Sequence, residues 1–204
     1  MAPRVISSKL FEKNLKYTDF DDKDRNLALI QWTQFIEHDL SKAVVTSMSN
    51  GAPIECCDSN NYQLAPRYRH PACAPLLQSE SNHRYGRETC LNYVRSALAV
   101  GNKCNFGAVE QLNQATGYLD LSQLYGYTRE AQQKMRSFRR GQLLSSNGND
   151  FRQQMLPLTS ADHHKFCAHN NVSRPCFMAG DSRVNRNPYS VALYTLFLRN
   201  HNQW

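Results

Sequence analysis

Gln34-Phe35-Ile36-Glu37-His38-Asp39 sets an amide, two carboxylates and an imidazole on fewer than two helical turns. A helix that only packs needs no such density of chemistry. The surrounding pattern reads as a helix from Asn26 to Leu40, with Asp24 as N-cap and Leu27, Ile30, Phe35, Ile36 and Leu40 as its apolar positions. Gln34 and His38 are four residues apart and share a face, whereas Asp39 points roughly 100° away around the axis. One helix can thus offer an imidazole to one partner and a carboxylate to another.

Outward from this helix, the acidic run Asp19-Phe20-Asp21-Asp22-Lys23-Asp24 suits the positive end of a helix dipole. Residues 46–81 are rich in Ser, Asn, Pro and Cys and read as a long loop region held by disulfides. A second helix is expected from Thr128 to Gly141, with Ala131, Met135 and Phe138 inside and Gly141 just past its end. A third is expected from Pro188 to Trp204, with Pro188 near its first turn and Val191, Tyr194, Leu198 and His201 on one stripe. No series of segments alternates as strands, so the fold class is mainly α with much irregular chain.

With 204 residues, 41% of them hydrophobic, and no composition shift or repeat, the chain reads as a single unit. The formal charge of +7 comes from scattered Lys and Arg, apart from the run Arg136-Ser137-Phe138-Arg139-Arg140. A solvated basic helix face accounts for that run, and no aromatic interleaving marks a nucleic-acid surface. No apolar run is long enough to span a membrane. The seven cysteines (Cys56, Cys57, Cys73, Cys90, Cys104, Cys167 and Cys176) contain no C-x-x-C pair, which favours disulfides over a zinc site. Cys167 and Cys176 enclose the sequon Asn171-Val172-Ser173, consistent with an oxidising, glycosylating route. Seven is odd, so one cysteine is free, intermolecular or paired outside the chain. The first residues form no secretory signal and the last expected helix stops without a cap. Both fit a fragment of a longer secreted protein.

Two further constellations carry chemistry. In Thr116-Gly117-Tyr118-Leu119-Asp120-Leu121-Ser122, oxygen-bearing groups recur every second residue. With the Tyr118 carbonyl and Asp39 this spacing supplies five oxygen donors suited to a hard cation, although Thr and Ser before a Tyr-Gly turn also serve simply as caps. Phe177-Met178-Ala179-Gly180-Asp181-Ser182-Arg183-Val184-Asn185 places an Arg after a Gly-Asp turn, where a surface ion pair is the plain reading.

Taken in order and spacing, Gln34 to Asp39, Thr116 to Ser122 with Tyr125-Gly126, Ala179 to Arg183, and Leu198-Arg199-Asn200-His201-Asn202 resemble the animal haem peroxidase family. The opening Pro3-Arg4-Val5-Ile6-Ser7, the Glu55-Cys56-Cys57 and His70-Pro71-Ala72-Cys73 steps and Pro175-Cys176-Phe177 resemble its invertebrate, peroxinectin-like branch. The resemblance covers essentially the whole chain. It implies the N-terminal, distal-haem-side portion of that fold, with hydrogen peroxide as oxidant and a halide, thiocyanate or phenol as reducing substrate. By the same resemblance His38 is the distal histidine, a general acid and base. Arg183 is its cationic partner above the haem. Gln34 is the glutamine that binds halide and water, and Asp39, Thr116, the Tyr118 carbonyl, Asp120 and Ser122 are calcium ligands. Calcium would then fix the helix that aims the imidazole.

Two departures from the family pattern bear on haem b. Members that esterify haem use an Asp one residue before the distal histidine and a Glu three residues after the Arg; here those positions are Glu37 and Arg186. At most one covalent link, through Glu37, is therefore expected. The proximal histidine lies beyond the matching segment: His201 matches an earlier helix, and His70, His83, His163, His164 and His169 sit in loop contexts. The remainder of the peroxidase domain must supply it, so the chain alone is expected to be inactive. The alternatives are a non-catalytic, calcium-bound adhesion or matrix module on a degenerate peroxidase scaffold, or a basic secreted scaffold with no site. The set Gln34, His38 and Arg183 favours the enzyme.

Overall fold

The computed structural model of the protein describes residues 6, 9–10, 22–77, 90–101, 107–146, 150, 152–159 and 176–204. The chain packs as two compact units, one of Met1–Lys23 with Ala43–Leu112 and the other of Asp24–Lys42 with Asn113–Trp204. The sequon at Asn171, Cys104, Cys167 and most of the N-terminal lead-in lie outside the described residues.

Among the described residues, the first unit has few regular elements. Strand β1 (Leu76–Leu77) pairs antiparallel with β2 (Cys90–Leu91), and a 3-10 turn spans Pro66–Tyr68. Its buried cluster is Ile54, Cys56 and Cys73, with Ala72 and Val94 against it. Two disulfides, Cys56–Cys73 and Cys57–Cys90, tie the loop region together as expected. Asn92 acts as a side-chain strand: its Oδ1 accepts from Cys56 N at 2.9 Å and its Nδ2 donates to Ile54 O at 3.1 Å. Such pairing satisfies buried backbone groups that irregular chain leaves open.

The second unit holds the longer elements. Helix α1 (Leu27–Leu40) starts one residue after the expected Asn26, and its N-cap is Asn26 instead of Asp24, extended and with no side-chain cap bond. The apolar positions expected to bury this helix largely do not: Leu27, Ile30 and Leu40 are exposed and Ile36 is half-buried, whereas Phe35, His38 and Asp39 are buried. The buried face is thus set by one aromatic ring and two polar groups whose partners lie elsewhere in the chain. Helix α2 (Ser122–Tyr125) is short, entered through Leu121 at φ +58° and left through Gly126 at φ +110°. Its last carbonyls are satisfied by the returning chain, since Gly180 N donates to Leu124 O at 2.9 Å and Asp181 N to Gln123 O at 2.8 Å. A Cβ at position 180 would collide with the Gly126 backbone, so this approach requires glycine.

Helix α3 (Arg129–Met135) is capped by Thr128, whose side chain accepts from Ala131 N. It is shorter than the pattern suggests. Arg136 turns extended and bridges to Leu143, and Phe138, expected inside, is 71% exposed at φ +56°. The basic run 136–140 therefore lies on a turn and not on a helix face. Strands β3 (Leu158–Thr159) and β4 (Cys176–Phe177) form a second antiparallel ribbon, and Cys176 is disulfide-bonded. A 3-10 turn over Ser182–Arg186 leads into helix α4 (Pro188–Gln203), with Pro188 in its first turn and Asn187 accepting from Ser190 N at 2.8 Å.

Phe35, Leu124, Met135, Leu143, Leu156, Val184, Tyr194 and Leu198 form the core of this unit. Each such burial contributes about 1.5–3 kcal/mol relative to exposure. Phe35 stacks on Phe197 at 4.9 Å and meets Tyr194 edge-on at 5.2 Å, which fixes α1 against α4. Among the described residues no helix is long and apolar enough to cross a membrane.

Candidate active site

Helix α1 delivers His38 into the core, where the residue is 1% exposed. Its Nδ1 lies 3.1 Å from the Tyr194 hydroxyl on α4. Its Nε2 is buried with no hydrogen-bond partner among the described residues. Such an atom is uncommon, because a buried polar group left unpaired costs stability. The main chain is held too: His38 O accepts from Arg183 Nη2 at 2.9 Å, with the Tyr127 hydroxyl 3.1 Å away. Burial, and after it the Arg183 guanidinium, pulls the imidazole pKa down to about 4. The ring is therefore uncharged at neutral pH.

Arg183 is buried, not a surface ion-pair partner. Asp181, fully buried, accepts from Arg183 Nη2 at 2.8 Å and Nε at 3.1 Å, and from the Tyr127 hydroxyl at 2.6 Å. Lys42 Nζ stands 3.6 Å from the same carboxylate oxygen. The other oxygen caps the 3-10 turn by accepting from Arg183 N at 2.8 Å. Burial alone would raise the Asp181 pKa, but the bonds from Arg183 and Tyr127 outweigh it and hold the carboxyl below its ordinary value. The Tyr127 phenol is raised by burial and by the Asp181 charge, so it remains a donor. One anion therefore fixes a cation, a phenol and, through Arg183, the His38 carbonyl.

Glu37 is half-exposed beside this pair. Its Oε1 accepts from Ser41 Oγ at 2.7 Å and lies 3.5 Å from Arg183 Nη1, and its Oε2 is 3.8 Å from His38 Nε2. Gln34, one turn earlier on α1, accepts from Asn187 Nδ2 at 3.0 Å through its amide oxygen. Arg186 is exposed, and its charge is one of those lowering the His38 pKa. The orphaned Nε2, with a buried guanidinium and a carboxylate beside it, fits a site that receives a polar reactant over a haem.

The oxygen-rich loop meets α1 at Asp39. Asp39 Oδ2 accepts from Leu121 N at 3.1 Å, and its Oδ1 accepts from Ser122 N at 3.0 Å and Ser122 Oγ at 3.3 Å. Asp120 Oδ1 accepts from Thr116 Oγ1 at 3.1 Å, and the Thr116 and Ser122 hydroxyls are 3.2 Å apart. Tyr118 N reaches Thr116 Oγ1 at 3.4 Å, which keeps the Tyr118 backbone in the same loop. Burial raises the Asp39 pKa and the neighbouring Asp120 charge adds to it, whereas hydrogen bonds from Ser122 and Thr116 outweigh burial at Asp120 and hold that carboxyl below its ordinary value. Among the described residues no cluster of three or more His, Cys, Asp or Glu suits a metal, so a cation here would rely on hydroxyl and carbonyl oxygens beside the two carboxylates. That donor set fits a hard cation such as calcium.

Four residues of this arrangement escape the sequence reading: Tyr127, Asp181, Tyr194 and Lys42. Tyr194 sits on an expected apolar stripe, and the usable signal is that a buried phenol needs a partner for its hydroxyl. Asp181 stands two residues before Arg183, close enough to cap and pair with it at once. His201, set aside as a ligand, uses both ring nitrogens structurally, with Nδ1 3.1 Å from the Tyr125 hydroxyl and Nε2 3.0 Å from Gly141 O.

The chorion peroxidase of Drosophila melanogaster is 31% identical over 99% of the chain and 26% of its own length. The chorion peroxidase of Aedes aegypti is 34% identical over 99% of the chain and 25% of its own length. Peroxidasin of Drosophila melanogaster is 31% identical over 86% of the chain and 12% of its own length. The chain thus spans about a quarter of the length of the chorion peroxidases it matches. The family model for animal haem peroxidase matches residues 1–204, and the chain accordingly belongs to the animal haem peroxidase family.

Proposed function

We propose that this chain is the N-terminal, distal-side part of a secreted haem-dependent peroxidase that reduces hydrogen peroxide and oxidises a halide, thiocyanate or phenolic donor. The observation that carries the reading is His38 Nε2, buried and without a partner among the described residues, beside a buried Arg183. His38 takes a proton from hydrogen peroxide at Nε2 and returns it to the oxygen that leaves as water. Arg183, held by Asp181, stabilises the negative charge that develops as the O–O bond parts. Gln34, on the same face of α1, offers its amide to a bound water or anion. Haem, when bound, supplies the electrons that reduce peroxide and then accepts them back from the donor.

At most one ester to haem b would form, through Glu37, since Arg186 has no carboxylate to offer. Asp39, Thr116, the Tyr118 carbonyl, Asp120 and Ser122 would hold calcium, which fixes α1 one residue from the imidazole. The remainder of the domain supplies the proximal histidine, and these residues alone carry no turnover. Disulfides Cys56–Cys73 and Cys57–Cys90 agree with an extracellular setting. A non-catalytic adhesion scaffold is disfavoured, because it has no physical reason to retain an unpaired buried imidazole nitrogen.

The test is turnover by the full-length, haem-bound protein. Wild type is expected to consume peroxide, and His38→Ala to lose about 10²–10⁴ in peroxide-limited kcat/KM while keeping its haem. A haem-loaded wild type without turnover, or a His38→Ala variant as fast as wild type, would sink the reading.

A further inference from the structure

We propose that Asn187 is the positioning residue for Gln34: it holds the Gln34 amide oxygen, leaves the Nε2 end for the ligand, and so makes this position select an anion. The inference deepens, and rests on, the reading of Gln34 as a residue that meets the reducing substrate. Asn187 ends the 3-10 turn that carries Arg183 and caps α4, and its side chain ties that cap to α1. The turn and α1 run past each other in opposite senses. Arg183 reaches His38 and Glu37, and Asn187, four residues on, reaches Gln34, four residues before His38.

The two ends of a side-chain amide have the same shape, and its neighbours decide which is which. Here the decision starts from a main-chain N–H, which can only donate. Ser190 N meets the Asn187 side chain at 2.8 Å, so the atom there is the carbonyl oxygen Oδ1. The other atom, Nδ2, carries hydrogens and accepts nothing, so the Gln34 atom 3.0 Å from it is Oε1. Gln34 Nε2 is then the end left over. Among the described residues it donates to no protein group, and the side chain is half-buried, open to a ligand. A halide or thiocyanate accepts hydrogen bonds and donates none, so it needs Nε2, whereas a phenol does both and can meet either end. An amide turned the other way would set its oxygen against the anion and reject it. Arg186, exposed and one residue before Asn187, adds positive charge on this side. The Glu37 carboxylate, three residues after Gln34, already accepts from Ser41 and lies 3.5 Å from Arg183 Nη1.

Asn187→Asp in the full-length, haem-bound protein tests this. Aspartate keeps the cap, since one oxygen still accepts from Ser190 N, but its other oxygen cannot donate and draws Gln34 Nε2 round to itself. Its charge also repels anions, so the same substitution is made in a Gln34→Met background, where only the charge acts. Thiocyanate affinity, read by the shift of the haem absorption band, is expected to fall at least about tenfold further with Gln34 present, as for one hydrogen bond to a charged group. For phenol the two backgrounds are expected to differ by less than about twofold, because its hydroxyl can pair with either end of the amide. Should Asn187→Asp fail to fold, Asn187→Ser keeps a capping hydroxyl, adds no charge and is too short to hold Gln34. Thiocyanate affinity should then fall about three- to tenfold, because the ligand must itself order the freed side chain. In wild type, NMR of nitrogen-labelled glutamine should show the Gln34 Nε2 resonance, identified by its loss in Gln34→Met, moving as thiocyanate is added. Equal losses in both backgrounds, a phenol difference as large as that for thiocyanate, or an unmoved resonance would each overturn the assignment. A wild type that shows the coupling but no peroxide turnover would instead fail the functional reading and leave the role of Asn187 standing.

Discussion

Among the described residues, the unit around Ile54 closes on a buried cluster of three side chains and two disulfides, while the unit around His38 buries a core of eight apolar or aromatic side chains. Around that small described cluster the cross-links restrict the unfolded state and so add stability that apolar burial alone does not supply. The second has core enough to carry a polar network as well. It can therefore seal Asp181, Arg183 and His38 from water and keep one imidazole nitrogen unpaired. Both units share one device, an asparagine that pairs like a strand. Asn92 does so in the first; in the second, Asn185 pairs with Phe177 at 2.9 and 2.8 Å and Asn202 with Leu143 at 2.8 and 3.2 Å.

Removing the anion at the centre of the second unit is predicted to have the largest effect on stability. Asp181→Asn leaves the Arg183 and Lys42 charges without their buried counter-ion and should destabilise the full-length protein by about 3–5 kcal/mol in denaturant melts. Its pH dependence follows from sign. The folded Asp181 pKa lies below its ordinary value, so its contribution is fully present above about pH 4, the unfolded carboxyl value. It fades as pH falls through the lower folded value. A variant within about 1 kcal/mol of wild type would mean that the polar network is not what orders this unit.

The converse test addresses the first unit. Replacing Cys56 and Cys73 together by Ala should cost about 3 kcal/mol, the expectation for a loop of 17 residues. Limited proteolysis should then cut preferentially within residues 43–112. Cleavage spread evenly over both units would erase the contrast. The smallest effect is predicted for Thr128→Ala, which removes the cap of α3 and should cost about 1 kcal/mol. Hydrogen exchange should rise in the first turn of α3 alone, and a cooperative loss across the core would show that the cap supports more than its own helix.

Helices α1 and α4 are legible in the residues themselves, because apolar spacing and Pro188 are local signals. The boundary of α3 is not: nothing local shows that Arg136 will turn and pair with Leu143. The same limit governs burial along α1, where Leu27 and Ile30 look like core and His38 and Asp39 are the residues inside.

By itself the sequence determined the inventory: a helix bearing Gln34, Glu37, His38 and Asp39, an oxygen-rich loop, an Arg after a Gly-Asp turn, cysteines suited to disulfides, and membership of a family whose motifs occur in the same order. Only the tertiary structure decided how the inventory is used. It pairs Cys56 with Cys73, seats Arg183 on Asp181, sends Phe138 outward and gives His38 its partner in Tyr194. The physical reason is range. Helix formation is set over a few residues, whereas the partners that satisfy His38 stand 145 and 156 positions away, at Arg183 and Tyr194, and only folding brings them within a hydrogen bond.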